Sequence, residues 1–340
     1  MNYKAKDIAA MLGISASAVS IVLNNKPGVS QKTRSLVLEK LKELNCEHLI
    51  KDTAPSAVTD SGTIGFVLYK RFGTIIDESP FFNYALESIN RTLQNYHYDL
   101  KFIYLDAHTP ATDKQKQISD AHCDGLIINA VEMCEDDLSF FATCSLPFVL
   151  IDNSFQTHDV DCVAANNYQG ASKAIRYFYS MGHRKIGYIK SKIQITSFAE
   201  RFAAYKQQLK NLDIPFHPEY VIEVGYSEQE VAAAVAEYLK LHTPPTAFFA
   251  DNDLLACFTI QALRTHGYAV PEDISMIGFD DRPICKLVDP PLTTIEIPQS
   301  LFGPSAVDLL IHKIQSPRQQ SMKLDVGTRL IERKSVKRIL

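Results

Sequence analysis

From Thr63 onward, short unbroken apolar runs alternate with amphipathic stretches, and this rhythm restricts the chain more than any other feature. The runs are TIGFVLY, DLKFIYL, DGLIIN, PFVLID, KIGYIK, YVIEV, TAFFA and ISMIGF. Between them, apolar positions recur at helical spacing near 81–95, 112–121, 167–181, 198–212, 227–241 and 253–266, with a late helix at 299–315. Runs that do not alternate are strands covered on both faces, and strands joined by helices pair in parallel. The material suffices for two doubly wound sheets. Breaks near Asp161–Ala165 and Asp289–Leu292 divide residues 63–340 into two lobes joined by more than one crossing. The first is expected at about 63–162 and 292–322, the second at about 163–291 and 323–340.

The first 45 residues obey a different pattern. Ala5, Ile8, Ala9 and Leu12 line one helical face, Gly13-Ile14-Ser15 makes a turn, and Val19, Val22 and Leu23 form a second stripe. Ser15 caps this second helix and leaves Ser17, Ser20 and Ile21 facing outward. A third helix over 31–44, capped by Ser30, turns Val37, Leu41 and Leu44 inward. Two short helices about a glycine-containing turn describe a helix-turn-helix, although a three-helix subdomain without a nucleic-acid role has the same spacing. Residues 46–62 are small, polar and turn-rich, as in a linker.

Charge separates along the same boundary. Residues 1–59 carry eight Lys/Arg against five Asp/Glu, whereas the remainder is acidic and brings the chain to −4. A basic head on an acidic body suits a nucleic-acid module carried by something that is not one. Seven cysteines without a CxxC pair point to reduced thiols rather than a disulfide frame or zinc site. No run has the length of a membrane span, and MNYKAKDIAA lacks a signal-peptide core, so a cytoplasmic protein is expected. HExxH, GxxxxGK[ST], GxSxG and GxGxxG are all missing, and neither metal nor cofactor is expected.

The segment DIAAMLGISASAVSIVLNNKPGVSQKTRSLVLEKLKEL resembles the headpiece of LacI-family bacterial transcription regulators. MGHRKIGYI, SFAERFAAY, FADNDLLA, VPEDISMIGFDD, PPLTTI and GTRLIERKS are similar to blocks of the same family's periplasmic-binding-protein-like core. The resemblance implies that Ala16, Ser17 and Ile21 read base edges, that Ser15 belongs to the same surface, and that His183 is structural. Lys4, Lys6, Ser20, Asn24, Lys26, Ser30, Lys32, Thr33 and Arg34 are candidates for phosphate contacts, which set register and salt dependence. In the linker the resemblance fails: the family has a hinge helix with an apolar wedge there, and a helix running through Pro55 would lose a hydrogen bond. Pro55 falls near the wedge position with Asp52 and Thr53 beside it, and Ile50 is the other apolar candidate.

Ligands of open α/β sheets lie beyond the carboxyl ends of the strands. The residues there are polar: Tyr69, Asn129, Asp152, Asn252 and Asp280, with Arg201 at the start of the helix after KIGYIK. Carboxylates and amides match neighbouring hydroxyls, a guanidinium offers a planar fork, and Tyr69, Phe81 or Phe82 can cover an apolar face. That set suits a sugar, and the resemblance places the effector pocket at the same positions. Capping for Asp280 and a lobe–lobe salt bridge for Arg201 are the structural alternatives, and Asp253 and Asp281 read as caps.

The expected protein is a homodimeric repressor of carbohydrate-utilisation genes, controlled by a sugar-like effector. A solute-binding module and a sugar-metabolising enzyme are the rival classes. One departure from the family is testable at once. Arginine is usual where this chain has Ile21, and isoleucine cannot grip guanine; at most it packs on a thymine methyl. Selection of bound duplexes from a random pool should return no guanine requirement at that base pair. A guanine whose loss matters only when Ile21 is present overturns this.

Overall fold

The computed structural model describes residues 5–23, 29–44, 46, 61–77, 81–317 and 320–339, without the side chains of residues 31, 32 and 81–84. They form two compact units, one up to Ser61 and one from Gly62 to Leu340. Lys4, Asn24, Lys26, Ile50, Asp52, Thr53 and Pro55 lie outside the described residues, as do the side chains of Lys32, Phe81 and Phe82.

The first unit contains α1 (Ala5–Leu12), α2 (Ala16–Leu23) and α3 (Gln31–Glu43). Gly13 turns the chain with φ +65°, a conformation most side chains resist. Ile14 N–H closes α1 on the Ala9 carbonyl at 3.1 Å, and Ala18 N–H donates to Ser15 Oγ at 3.1 Å to open α2. The two helices meet at a bend of 120°. Ile8, Ala9, Val19, Val22, Leu23, Val37, Leu41 and Cys46 bury one another, so three short helices stabilise by mutual packing what none could hold alone. Among the described residues no single helix is long and apolar enough to cross a membrane.

In the second unit the elements run β1 (Gly62–Lys70), α4 (Thr74–Asp77), α5 (Phe81–Asn95), β2 (Tyr98–Asp106), α6 (Ala111–Ala121), β3 (Gly125–Asn129), α7 (Glu135–Ala142), β4 (Phe148–Ile151) and β5 (Cys162–Ala165). There follow α8 (Asn167–Ser180), β6 (Ile186–Ser191), α9 (Thr196–Asn211), β7 (Val221–Val224), α10 (Glu228–Leu241), β8 (Ala247–Ala250), α11 (Asp253–Thr265) and β9 (Ser275–Asp280). The unit ends with α12 (Ile284–Leu287), β10 (Thr293–Glu296), α13 (Phe302–Gln315), β11 (Lys323–Val326) and β12 (Arg329–Ile331).

One sheet has the order β11-β5-β4-β3-β1-β2 and the other β12-β10-β9-β8-β6-β7. The pairings are parallel except β10–β12. Every residue of the central strands β3 and β8 is buried, as their unbroken apolar runs require. Helix α8 lies close on the second sheet at Gly170, where a Cβ would meet the Phe279 ring at 2.6 Å. His183 is buried, its ring bonded to Thr246 Oγ1 at 2.9 Å and the Lys337 carbonyl at 3.0 Å.

Both sheets reverse strand order beside their first strand, between β1 and β3 and between β6 and β8. Crevices open at such points. The chain crosses between lobes three times: from β5 to α8, from β10 to α13, and from β11 to β12. This corrects the expected boundaries. Thr293–Glu296 belongs to the second sheet rather than to a first-lobe segment at 292–322, and Lys323–Val326 belongs to the first sheet rather than the second lobe. The Asp- and Pro-flanked breaks are lead-ins to four-residue strands, β5 and β10, and the chain changes lobe only after them.

Candidate functional site: a polar cleft between two lobes

A narrow cleft, partly open to solvent, lies between the lobes. Loops from the carboxyl ends of both sheets build it. Ile75 follows β1, Val131 follows β3 and Asp152 follows β4; across from them stand Ile195, Ser197, Phe198 and Arg201 after β6, Tyr226 after β7, Asn252 after β8, and Asp280 and Arg282 at the end of β9. Ile297 and Gln299 of a crossing complete the wall.

Arg201 is its fixed point. The residue is 3% exposed, and its guanidinium lies 3.7 Å from the ring centroid of Phe279. Nε donates to Asn167 Oδ1 at 2.9 Å, Nη1 to the Asp251 carbonyl at 2.6 Å and Nη2 to Asp280 Oδ1 at 3.2 Å. Three of its five N–H donors are committed, which leaves two for a ligand. Asp280 and Arg201 belong to the same lobe, so their pairing is not a bridge between lobes.

Asp152 and Asp280 end corresponding strands of the two sheets, and both have positive φ, +66° and +111°. Such backbone is sparsely populated, Asp tolerates it better than most residues, and it collects at functional sites. Burial pushes the Asp152 carboxyl up to about 7, against the pull of Arg201 and with a push from Asp280. Burial also raises Asp280, although Arg201 and Arg282 oppose it.

Asn252 has two tasks. Its Oδ1 accepts from Leu255 N–H at 3.0 Å and caps α11, while Nδ2 donates to Tyr226 Oη at 2.6 Å. Asp253 is buried and accepts from Arg282 N–H at 2.7 Å and Thr294 Oγ1 at 2.5 Å, pinning the loop after β9. Asp281 pairs with Arg333 at 2.6 Å.

Of the effector residues read from the sequence, Asp152, Arg201, Asn252 and Asp280 line the cleft, whereas Tyr69 and Asn129 do not. Tyr69 is buried among Val67, Ile103 and Phe141 and donates to Asp137 at 2.6 Å. Asn129 is also buried and accepts from Val131 N–H at 3.3 Å. Each is at the right end of its strand, but its side chain supports the wall from behind. Tyr226, Ser197 and Arg282 were missed, although the strand-end rule reaches Tyr226 two residues past β7. Ile75, Val131, Ile195, Phe198 and Ile297 carry no polar signal at all.

In the headpiece, Lys6, Ser17 and Ser20 are exposed, and Ile21 is half-buried outside the apolar cluster. Ala16 packs partly against that cluster. Ser15 and Ser30 act as caps, Ser30 Oγ accepting from Thr33 N–H at 3.1 Å and meeting Thr33 Oγ1 at 2.8 Å.

A helix-turn-helix and a two-lobed core with a polar cleft define a ligand-responsive class of DNA-binding protein. Residues 4–46 match the model of the bacterial regulatory proteins of the lacI family, and 175–336 that of the periplasmic binding protein-like domain. The chain is 30% identical over 343 residues to the HTH-type transcriptional repressor PurR of Haemophilus influenzae strain PittEE, covering 98% of this chain and 99% of that protein. Identity to the Pasteurella multocida PurR is 29% over 336 residues, 98% of each. Among solved structures, the lac repressor dimer bound to operator and the anti-inducer ONPF has a TM-score of 0.71 at 23% identity over 99% of this chain and 100% of that one. The CelR–cellobiose complex has 0.72 at 22%, over 98% and 100%. The chain belongs to the LacI family; it is a DNA-binding transcriptional repressor and not an enzyme.

The raised Asp152 carboxyl has a sign. Between its ordinary value near 4 and about 7, the folded chain holds a proton that the unfolded chain has released, so this group's contribution to stability falls as pH rises. Asp152→Asn, which tolerates the same φ, should therefore be more stable than the parent at pH 8, with the gain shrinking to nothing near pH 4. Urea unfolding at both pH values measures it, and a gain that does not depend on pH contradicts the assignment.

Proposed function

We propose that this repressor acts in the cytoplasm as a homodimer on carbohydrate-utilisation genes, and that a sugar-like molecule in the cleft controls its grip on operator DNA. The observation that carries the effector reading is Arg201, a buried guanidinium with two uncommitted N–H donors between two carboxylates on positive-φ backbone. Hydroxyls donate to carboxylates and accept from guanidinium, and Phe198 with Ile195 can cover an apolar sugar face. Two relatives in structure support it by their ligands: the CelR–cellobiose complex, and a LacI-family regulator of Enterococcus faecium with bound ribose. A nucleoside is the second reading, favoured by the rings of Phe198 and Tyr226 on the same cleft.

For DNA, Ala16, Ser17 and Ile21 face base edges, with Ser15 on the same surface, and Lys6, Ser20, Ser30 and Thr33 face phosphates. Lys4 and Asn24 belong to the phosphate set by sequence. Pairing of two chains is supported by exposed apolar side chains on the core: Leu287 is 82% exposed, and Phe102 and Tyr104 are about half exposed on the edge strand β2. Leu287→Glu should shift the sedimentation of the chain toward a monomer; an unchanged dimer moves the interface elsewhere.

A melting screen of pentoses, hexoses, disaccharides and nucleosides, followed by gel shifts on the promoter of the chain's own operon, tests the rest. The active compound should raise the melting temperature and alter duplex retention. Asp280→Ala should bind that compound roughly ten- to a hundredfold more weakly, the loss of one charge-assisted hydrogen bond, while still retaining duplex. A screen without a hit, or an Asp280→Ala chain that responds like the parent, removes the effector reading.

A further inference from the structure

Glu132 is not among the residues that line the cleft, yet its buried carboxylate accepts five backbone hydrogen bonds. Its side chain is 1% exposed. Oε2 accepts from the backbone N–H groups of Arg71, Phe72 and Gly73 at 2.9, 2.8 and 2.8 Å, and Oε1 from those of Ile75 and Ile76 at 3.0 and 3.2 Å. Five donors of one segment thus converge on one anion. The turn that carries Glu132 is itself fixed, because Asn153 Nδ2 donates to the carbonyls of Ala130 and Met133 at 3.0 and 3.2 Å. What the segment delivers is apolar. Ile75 and Ile76 join Leu68 and Val131 of the first lobe to Ile195 and Phe198 of the second in one buried cluster, and Ile75 lines the cleft.

We propose that Glu132 is a positioning residue for the cleft: it folds segment 71–76 into a preformed apolar wall, so that closing the lobes on a ligand does not have to order that segment. This rests on the cleft being the effector site. The experiment uses neither effector nor DNA, however, so its failure is distinguishable from failure of that reading. A surface segment without such an anchor exchanges its amides freely.

Hydrogen exchange on the full chain should therefore find the amides of residues 71–73, 75 and 76 protected in the parent. Glu132→Gln keeps the shape but turns an NH₂ toward N–H donors, leaving them unpaired. Exchange at these amides should accelerate by about tenfold or more, while β6 and α9 exchange as before. Binding of the apolar dye ANS should rise as Ile75 and Ile76 come free. Fast exchange at these amides in the parent overturns the proposal even if the variant fails to fold. So does a folded Glu132→Gln chain with parental exchange and dye binding.

Discussion

A guanidinium taken out of water is costly unless its hydrogen bonds and charge are met, and Arg201 meets those terms with groups from three parts of the chain. Asn167 opens α8, Asp251 ends the β8 run, Asp280 ends β9, and Phe279 supplies a ring face from the same strand. Removing any one leaves a buried cation short of a partner, so the second lobe's strand ends are registered against one another through this side chain. Asn167 also donates to Glu200 at 2.8 Å, and Glu200 accepts from Ser154 of the first lobe at 3.3 Å. The same network therefore touches the other side of the cleft.

The first lobe uses carboxylates differently. Glu132 and Asp137 are buried and turned away from the cleft. Asp137 accepts from Tyr69, from the Arg71 guanidinium and from Cys134 N–H, and these bonds hold its carboxyl below the ordinary range despite burial. These two acid groups organise backbone behind Ile75 and Val131, and Asp152 is the first-lobe carboxylate that lines the cleft. In the second lobe, acid and amide groups face the cleft themselves.

That difference explains what was legible in the sequence. Headpiece helices, caps and inward stripes follow from spacing, because a helix of eight residues has one face to bury and few alternatives. Central strands follow from unbroken apolar runs. The short strands β10, β11 and β12 have three or four residues and no such run, so only pairing with a neighbour defines them, and the apolar run of β5 is only four residues long. At the cleft, the strand-end rule finds a position along the chain but not a direction in space. Strand side chains alternate, so Leu68 reaches the apolar cluster shared by both lobes while Tyr69 turns back into its own lobe. Nothing in the spelling of AVEMC marks Glu132 as an anchor for residues sixty positions earlier.

The division of labour also limits how a ligand can act. Arg201, Asn252, Asp280, Tyr226, Ser197 and Arg282 all belong to the second lobe and stay together whether the lobes are near or apart. Contacts to them add affinity equally in both arrangements, and equal affinity shifts no equilibrium. On the proposed effector reading, the differential term comes from what lies outside that set: Asp152, Ile75 and Val131 of the first lobe, with Ile297 and Gln299 of a crossing. A single carboxylate and a small apolar wall are modest resources for a population shift. On that reading their leverage depends on being already in place when the lobes meet, which is the order the bonds to Glu132 are proposed to supply.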